Sequence, residues 1–434
     1  MNLAPYSIGI GDRFGHQGVA QLKALAMARD RGVELTPVWN KSNREHTLIG
    51  TTPADARRAA DDAVRQSRWT APHFVDADHI GLKNVEPFLP HCDFFTLDVA
   101  DAVGVPPADS DLQAFVTRNR RFTGKVTVPG LAAPLDIGEE TLCATGRKYL
   151  AAVKEAGRTY RRIEQARGAG AFVTEVSMDE TSQPQSPGEL LFILSAIAAE
   201  RIPAATIAPK FSGRFNKGVD YVGDIRQFAR EFEQDLCVIA FAVREFGLPA
   251  DLKLSVHSGS DKFSLYPVMR PLLHKHNAGL HLKTAGTTWL EEMAGLAMAG
   301  GNGLQLAGRI YEQAFARFDE VCKPYATVLD INREKLPAPK TVQAWPADAF
   351  VKALRHDPSC RTYNAHFRQL VHVSFRIAAE LKAEFIPALE AHEETIGGLV
   401  ADNLFRNHIQ PLFLGIEDCK LKVSETASCR ATLR

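Results

Sequence analysis

Polar side chains that can do chemistry follow several short apolar segments of this 434-residue chain. In the sharpest case an apolar run ends at His257 and is followed by Ser258, Ser260, Asp261 and Lys262. Imidazole is the commonest metal ligand among side chains, and carboxylates act as general acids and bases. Apolar residues that stop at such a cluster indicate a buried strand with a functional site at its carboxyl end.

Two further histidines occupy comparable places. His79 closely follows the apolar pair at 74–75, and His281 lies inside the apolar segment 279–282. A single histidine at a strand end is most often structural, but three at one level favour a metal site that keeps open positions for a substrate. We therefore predict His79, His257 and His281 as metal ligands at equivalent levels. Such ligation suits Zn, Mn, Fe, Co or Ni, and the sequence does not distinguish among them.

Carboxylates form the second group of candidates. Asp76 and Asp78 share strand parity, so both side chains can face one side. Glu175 lies inside the apolar segment 172–176, where a carboxylate is costly unless it is paired, metal-bound or hydrogen-bonded. Burial raises the pKa of a carboxyl group, so these side chains can serve as acid and base near neutral pH. The alternative is a structural salt bridge in the core.

Cations follow the same apolar segments. They are Arg13, Lys41, Lys210, Lys262 and Lys283. Because the chain has 51 basic and 51 acidic residues, several cations at one mouth indicate a small anionic substrate. Asp12, Ser260 and Asp261 complete the predicted substrate-binding set. The sequence contains no P-loop, and it does not separate a carboxylate from a phosphate.

These residues need a scaffold that brings strand ends together, and the chain has eight candidate strands. They are predicted at 6–10, 36–39, 73–75, 94–97, 171–176, 205–208, 252–256 and 279–282. Amphipathic runs separate most of them, which is the pattern of parallel βαβ units, and eight such strands close a (β/α)8 barrel. The alternative is an open doubly wound sheet, but the glycines at 9–15 lack the spacing of a dinucleotide-binding turn.

The domain organisation follows from the spacing of these elements. We predict a catalytic barrel over residues 1–335, a helical region over 336–415 that packs on it, and a polar tail over 416–434. Roughly seventy residues separate the fourth and fifth strands, so the fourth βα unit is elaborated and is a candidate lid. A long helix is predicted there at 139–167.

Composition excludes several classes of protein. The formal net charge is zero, which argues against a nucleic-acid or membrane-surface protein. The seven cysteines lack metal-type spacing and indicate reduced thiols, and the start of the chain lacks a signal-peptide pattern. The longest apolar runs are too short to span a bilayer, so we expect a cytoplasmic enzyme. The C-terminal helices can pack on the barrel or on a second copy, which leaves a homo-oligomer open.

At these residues the chain resembles the tagaturonate epimerase family, which converts D-tagaturonate to D-fructuronate in hexuronate catabolism. The resemblance covers residues 6 to about 415 and is carried by the blocks 11–13, 76–79, 175–181, 257–264 and 281–287. It implies one divalent metal ion held by His79, His257 and His281. It also implies that Asp78 is the proton acceptor and Glu175 the proton donor.

The two sugar acids differ at a carbinol carbon β to the ketone, whose hydrogen is not acidified by an adjacent carbonyl. Retro-aldol cleavage and re-addition on the other face avoid that difficulty. A Lewis-acidic metal would polarise the ketone, one of Asp78 and Glu175 would take the hydroxyl proton, and the other would return one. Lys262, Lys283 and Arg13 would hold the carboxylate end. The alternatives are a metal-dependent aldolase or ketose isomerase on a related sugar acid, and a non-catalytic sugar-acid binding protein.

Overall fold

The structure is a computed structural model that describes residues 1, 3–284 and 286–415. Ten strands occur in the described residues: β1 (Tyr6–Ile10), β2 (Thr36–Ser42), β3 (Phe74–Ile80), β4 (Phe94–Asp98), β5 (Gly124–Val126), β6 (Leu135–Ile137), β7 (Val173–Ser177), β8 (Ala204–Ala208), β9 (Lys253–His257) and β10 (Leu280–Lys283). The predicted polar tail at 416–434 lies outside the described residues.

Eight of these strands close into one parallel barrel. Around it they run β1, β2, β3, β4, β7, β8, β9 and β10, and β10 pairs with β1. All five residues of β8 are buried, as expected for a parallel strand covered on both faces. The predicted (β/α)8 barrel is confirmed, and the open doubly wound alternative is wrong.

The helices between the strands form the outer layer of the barrel. They are α1 (Gly18–Arg29), α2 (Asn43–Ile49), α3 (Pro53–Gln66), α4 (Asp109–Asn119), α5 (Glu139–Arg167), α6 (Pro187–Ala199), α7 (Ile225–Phe246), α8 (Tyr266–His276) and α9 (Thr287–Met298). Local sequence explains where they start. Thr52 and Ser186 form capping boxes ahead of α3 and α6, and a proline at the first position suits a helix N-terminus.

The fourth βα unit is elaborated, as the spacing predicted. It contains α4, the antiparallel hairpin of β5 and β6, and α5, which is 29 residues long. α5 packs against α4 on one side and α6 on the other. The insertion therefore thickens the outer helical layer.

A helical region follows the barrel. It contains α10 (Gly301–Ala316), α11 (Phe318–Cys322), α12 (Pro339–Gln343), α13 (Ala347–Leu354), α14 (Ala365–Val373), α15 (Phe375–Glu380), α16 (Lys382–Ala391), α17 (Glu393–Asp402) and a π-helix (Asn403–Leu414). Helices α10 to α17 share a second hydrophobic core with α9, including Trp289, Phe367 and Phe385. The π-helix packs into the core of the barrel instead. Because α9 is also the helix after the last barrel strand, it joins the two parts, and the division at residue 335 stays a prediction.

Residues 365–391 of the predicted helical region form three short consecutive helices, α14, α15 and α16. The first break falls at Ser374, whose hydroxyl donates a hydrogen bond back to Val371 O at 2.8 Å and so competes with the helical ladder. Across the described ranges no helix has the length and apolar character needed to cross a membrane.

Candidate active site

A cavity of about 710 Å³ opens at the carboxyl ends of the barrel strands. Its walls come from β2, β3, β9 and β10, from the loops after β1, β7 and β8, and from residues 324–328 of the helical region. Residues 100–170 are all described and do not contribute to this lining, so the elaborated fourth unit is not the lid that the sequence suggested. The loop at 209–217 and the segment 324–328 enclose the cavity instead.

Lys283 is the centre of a buried charge cluster at the cavity floor. Its Nζ lies 2.9 Å from Asp76 Oδ2, 2.9 Å from Asp78 Oδ1 and 2.8 Å from Glu175 Oε1. Nζ also donates to Thr96 Oγ1 at 2.6 Å. One ammonium thus compensates three carboxylates that come from β3 and β7.

The neighbouring strand has a glycine where the lysine must pass. Gly9 of β1 pairs with Lys283 of β10 in the barrel register. A Cβ atom at Gly9 would lie only 2.6 Å from Lys283 Cγ. Glycine at this position therefore gives the lysine room to reach the carboxylates across the barrel.

The three carboxyl groups of the cluster have pKa values that are shifted in different directions. Burial raises the pKa of Asp76 to about 7 even though Lys283 opposes the rise. Burial also opposes ionisation of Asp78, but Lys283 and two histidines outweigh it and lower the pKa to about 2. At Glu175 burial is outweighed by Lys283 and His257, which hold the pKa well below its ordinary value. The pKa of Glu175 is therefore lowered rather than raised, and within the cluster Asp76 is the carboxyl group whose pKa lies near neutrality.

Two of the three predicted histidine ligands meet at the cavity. The rings of His79 and His257 lie 5.4 Å apart between centroids, and His257 Nδ1 lies 3.0 Å from Asp179 Oδ2. Ligand atoms of His79, Asp179 and His257 fall within 4.8 Å of one another. On its other side His257 Nε2 lies 2.9 Å from Glu175 Oε1.

His79 is held in an unusual backbone conformation. Its φ is +52°, in the left-handed region, at a register shift of β3 against β4. A bulge re-aims a side chain, and non-glycine residues with positive φ cluster at functional sites. His79 Nδ1 lies 3.2 Å from Asp98 Oδ2, a contact that can fix the ring tautomer and leave Nε2 as a ligand atom.

His281 lies deeper in the barrel than the other two histidines. In the barrel register His257 pairs with Lys283, whereas His281 pairs with Ser255, two residues earlier on its strand. Two residues correspond to about 6.6 Å along a strand, so His281 lies below His257 and the expectation of three histidines at one level is wrong. Its ring lies against Phe94 at 5.4 Å, and Nδ1 lies 2.8 Å from Ser7 Oγ.

The donor set fits a divalent transition metal ion. Two imidazoles and one carboxylate are the usual number and kind of protein ligands in a catalytic site. His281 is fully buried, and its Nε2 has no hydrogen-bond partner among the described residues. The assignment of His281 as a ligand stays a prediction.

The predicted cations after β1, β2 and β8 have different surroundings. Arg13 and Lys210 line the cavity. Lys41 is buried, and its Nζ donates to the backbone oxygen of Arg13 at 2.6 Å, so it supports the loop that carries Arg13. Asp12 accepts hydrogen bonds from the backbone N–H groups of residues 15–17, which orders the turn into α1.

Three predicted substrate contacts after β9 lie behind the cavity wall. Ser260, Asp261 and Lys262 are each 0% exposed, and their side chains do not line the cavity. Lys262 Nζ donates to the backbone oxygens of Asn216 at 3.0 Å and Val219 at 2.8 Å. It therefore orders the loop that forms one wall.

Asp261 joins the barrel to the helical region. Its carboxylate forms a buried ion pair with Arg368 of α14 and lies 3.2 Å from His356 Nδ1. Burial opposes its ionisation, but Arg368 and the nearby histidines keep the pKa of Asp261 well below its ordinary value. Both partners come from beyond the last barrel strand, so this tie fixes the helical region against the strand ends.

Four cavity-lining side chains of chemical interest are not among the predicted site residues. They are Asp179, Arg44, Lys217 and Tyr325. Asp179 shares strand parity with Glu175, which was a usable signal. Arg44 lies on α2, Lys217 in the loop after β8 and Tyr325 beyond the barrel, so no strand-end pattern marks them.

The chain matches the family model for tagaturonate epimerase (UxaE) over residues 1–412. It is 29% identical over 419 residues to the tagaturonate/fructuronate epimerase of Thermotoga maritima, a match that covers 92% of this chain and 79% of that protein.

Two crystal structures of fructuronate-tagaturonate epimerase UxaE from Cohnella laeviribosi are similar in fold. The complex with one glycerol has a TM-score of 0.77 at 24% identity and covers 95% of this chain and 82% of that chain. The native structure has a TM-score of 0.74 at 24% identity, with the same coverage of both chains. Since the family model spans nearly the whole chain, the protein belongs to the tagaturonate epimerase family.

Proposed function

We propose that this protein interconverts D-tagaturonate and D-fructuronate as a metal-dependent epimerase. Family membership supports the reaction. The observation that carries the proposal is the Lys283 cluster, in which a buried ammonium joins Asp78 and Glu175 at the floor of a cavity of sugar size. Inversion of a stereocentre needs one group to take a proton and another to return it.

The proposed metal ligands are His79, His257 and Asp179, with His281 retained as a candidate. When bound, the metal ion would supply Lewis acidity toward the ketone of the substrate. Asp98 would hold the His79 ring through Nδ1, and Ser177 Oγ would hold Asp179 Oδ1 at 2.5 Å.

We propose that the carbinol centre is inverted by retro-aldol cleavage and re-addition. Asp78, which lines the cavity, takes the hydroxyl proton of that carbon. The adjacent carbon–carbon bond then breaks, and its electron pair stays on the carbon next to the ketone. The aldehyde turns its other face, the bond forms again, and the new alkoxide receives a proton originating at Glu175.

The ionised state of Glu175 requires a route by which it gains that proton. Lys283 touches both carboxylates, so it can pass one of its protons to Glu175 while it takes the proton collected by Asp78. Protons and charge balance in this exchange. Glu175 is 0% exposed, so its proton reaches the cavity through Lys283, which contacts Glu175 and lines the cavity.

The substitution Glu175→Gln tests this assignment. NMR with D-tagaturonate should show fructuronate formation by the wild type and a loss of about 10²-fold or more in kcat for the variant, with metal content unchanged by elemental analysis. Asp136→Asn, at a carboxylate 70% exposed on the β5–β6 hairpin, is the matched control and should retain full activity. Full turnover by Glu175→Gln would reject its role, and free three-carbon products would instead identify an aldolase.

A further inference from the structure

Three cations gather at the part of the cavity that the helical region closes. Arg13, Arg44 and Lys217 all line the cavity, as does Tyr325. Lys217 Nζ lies 5.1 Å from the centre of the Tyr325 ring, and Arg44 Cζ lies 5.3 Å from the same ring. We call these four side chains the cationic pocket.

Arg13 is already oriented for a ligand. Its side chain is only 5% exposed, its Nε donates to Glu45 Oε1 at 3.0 Å, and its Cζ lies 4.2 Å from the centre of the Phe375 ring. With one edge paired and one face stacked, the guanidinium cannot turn freely. Its NH1 is buried and has no hydrogen-bond partner among the described residues. A buried donor without a partner is costly, so an acceptor brought by a ligand would relieve that cost.

Lys217 is also held in place by the fold. Its backbone N–H donates to Val328 O at 2.9 Å, which ties the loop after β8 to the segment that carries Tyr325. Lys262 Nζ also holds this loop on either side of Lys217, through hydrogen bonds to the backbone oxygens of Asn216 and Val219. Burial, with nearby Arg13, lowers the pKa of Lys217, and a bound anion would restore it.

The charge balance of the cationic pocket selects the kind of anion. Glu45 pairs with Arg13, and Glu180 lies 3.8 Å from Arg44. Two of the three cations are thus offset, which leaves one net positive charge. A singly charged carboxylate matches that balance, whereas a phosphate dianion exceeds it.

We propose that Arg13, Arg44, Lys217 and Tyr325 form the subsite that binds the substrate carboxylate. This inference rests on the proposed function for the identity of the substrate. The subsite places the charged end of the sugar acid against the helical region and leaves the ketone and carbinol groups for the metal ligands and the Lys283 cluster. The subsite thereby makes the enzyme selective for sugar acids over neutral sugars.

Isothermal titration calorimetry with D-mannonate and D-mannitol tests the subsite. D-mannonate carries a carboxylate where D-mannitol carries a hydroxymethyl group, and neither probe has a ketone that could react. We expect wild-type protein to prefer D-mannonate at least tenfold, and Lys217→Met and Arg44→Met each to reduce that preference by about tenfold. The Arg44 side chain is 48% exposed, so its variant should fold normally.

Arg309→Met is the matched control, because Arg309 is a 45% exposed cation of α10 that pairs with Glu384 and lies outside the cavity lining. It should bind D-mannonate like the wild type. Equal affinity of the wild type for both probes, or unchanged D-mannonate binding by the Lys217 and Arg44 variants, would overturn the subsite. Selective D-mannonate binding without turnover of D-tagaturonate would leave the subsite standing and reject the proposed function.

Discussion

The substitution Lys283→Met should destabilise the protein strongly. The variant keeps most of the side-chain volume but removes the ammonium that lies within 2.9 Å of Asp76, Asp78 and Glu175. Three carboxylates would then share one buried site without compensation. Since like charges at close range repel and burial penalises each of them, the free energy of the folded state rises relative to that of the unfolded chain.

The magnitude follows from the geometry. At an effective dielectric constant near 20, one ion pair at 2.9 Å is worth about 6 kcal/mol of Coulomb energy. Burial of the ions offsets much of that gain, and deletion of one partner of a buried pair costs about 3–5 kcal/mol in practice. We therefore expect the free energy of unfolding to fall by about 3–5 kcal/mol at pH 8.

The loss of unfolding free energy in Lys283→Met should depend on pH. In the wild type the folded pKa values of Asp78, about 2, and of Glu175 lie below their unfolded values. Their stabilising contribution is therefore present above the unfolded pKa and is lost as the pH falls through the folded pKa. Without Lys283 the carboxyl groups can be protonated instead, so the gap between variant and wild type should narrow as the pH is lowered from 8 toward 4.

Urea unfolding of chelator-treated protein, followed by circular dichroism, measures this effect. Lys253→Met is the matched control, because Lys253 is 4% exposed at the opposite end of the barrel and its ammonium contacts the backbone oxygen of Ala4 rather than a carboxylate. Its loss should cost only about 1 kcal/mol, the value of one hydrogen bond. Equal losses for the two variants, or a Lys283→Met loss that does not shrink in acid, would refute the account of the cluster.

Three further predictions concern metal binding, the Asp261–Arg368 ion pair and the protonation of Asp76. Asp98→Ala should weaken metal binding about 10- to 100-fold, since the His79 ring is no longer oriented; a chelator competition assay measures this, and unchanged affinity would reject the role. Asp261→Asn should cost about 3–5 kcal/mol in urea unfolding because Arg368 is left buried without its carboxylate; a loss below 1 kcal/mol would count against the tie. Asp76 has a pKa of about 7, so we expect the wild-type kcat/KM profile to have a limb near pH 7 that Asp76→Asn lacks; a limb that persists in the variant would be assigned to another group.

The barrel could be predicted from the sequence because each of its units is marked locally. Apolar segments bounded by polar clusters identify all eight strands, and each confirmed strand overlaps its predicted range. Amphipathic periodicity located α5 at its observed bounds, Glu139–Arg167, because the helix is long and ends at a glycine. Such elements can be predicted because the periodicity that identifies each one lies within a single stretch of the sequence.

The pairing of side chains across the barrel could not be predicted. Strand parity places His281 and Lys283 on one face of β10. Which side chains they contact depends on the register between neighbouring strands, and the sequence of a single strand does not specify that register. In the chain Lys283 lies 207 positions from Asp76 and 205 positions from Asp78. The same holds for Asp261, whose partner Arg368 lies 107 positions away.

The most direct test of the central claim is proton NMR of D-tagaturonate incubated in D2O with the metal-loaded protein. We predict that D-fructuronate forms and that the inverted carbinol carbon keeps its original hydrogen, because retro-aldol cleavage breaks a carbon–carbon bond and leaves that carbon–hydrogen bond intact. Failure to form D-fructuronate would contradict the proposed function. Deuterium at the inverted carbon would contradict the retro-aldol route and require direct deprotonation there.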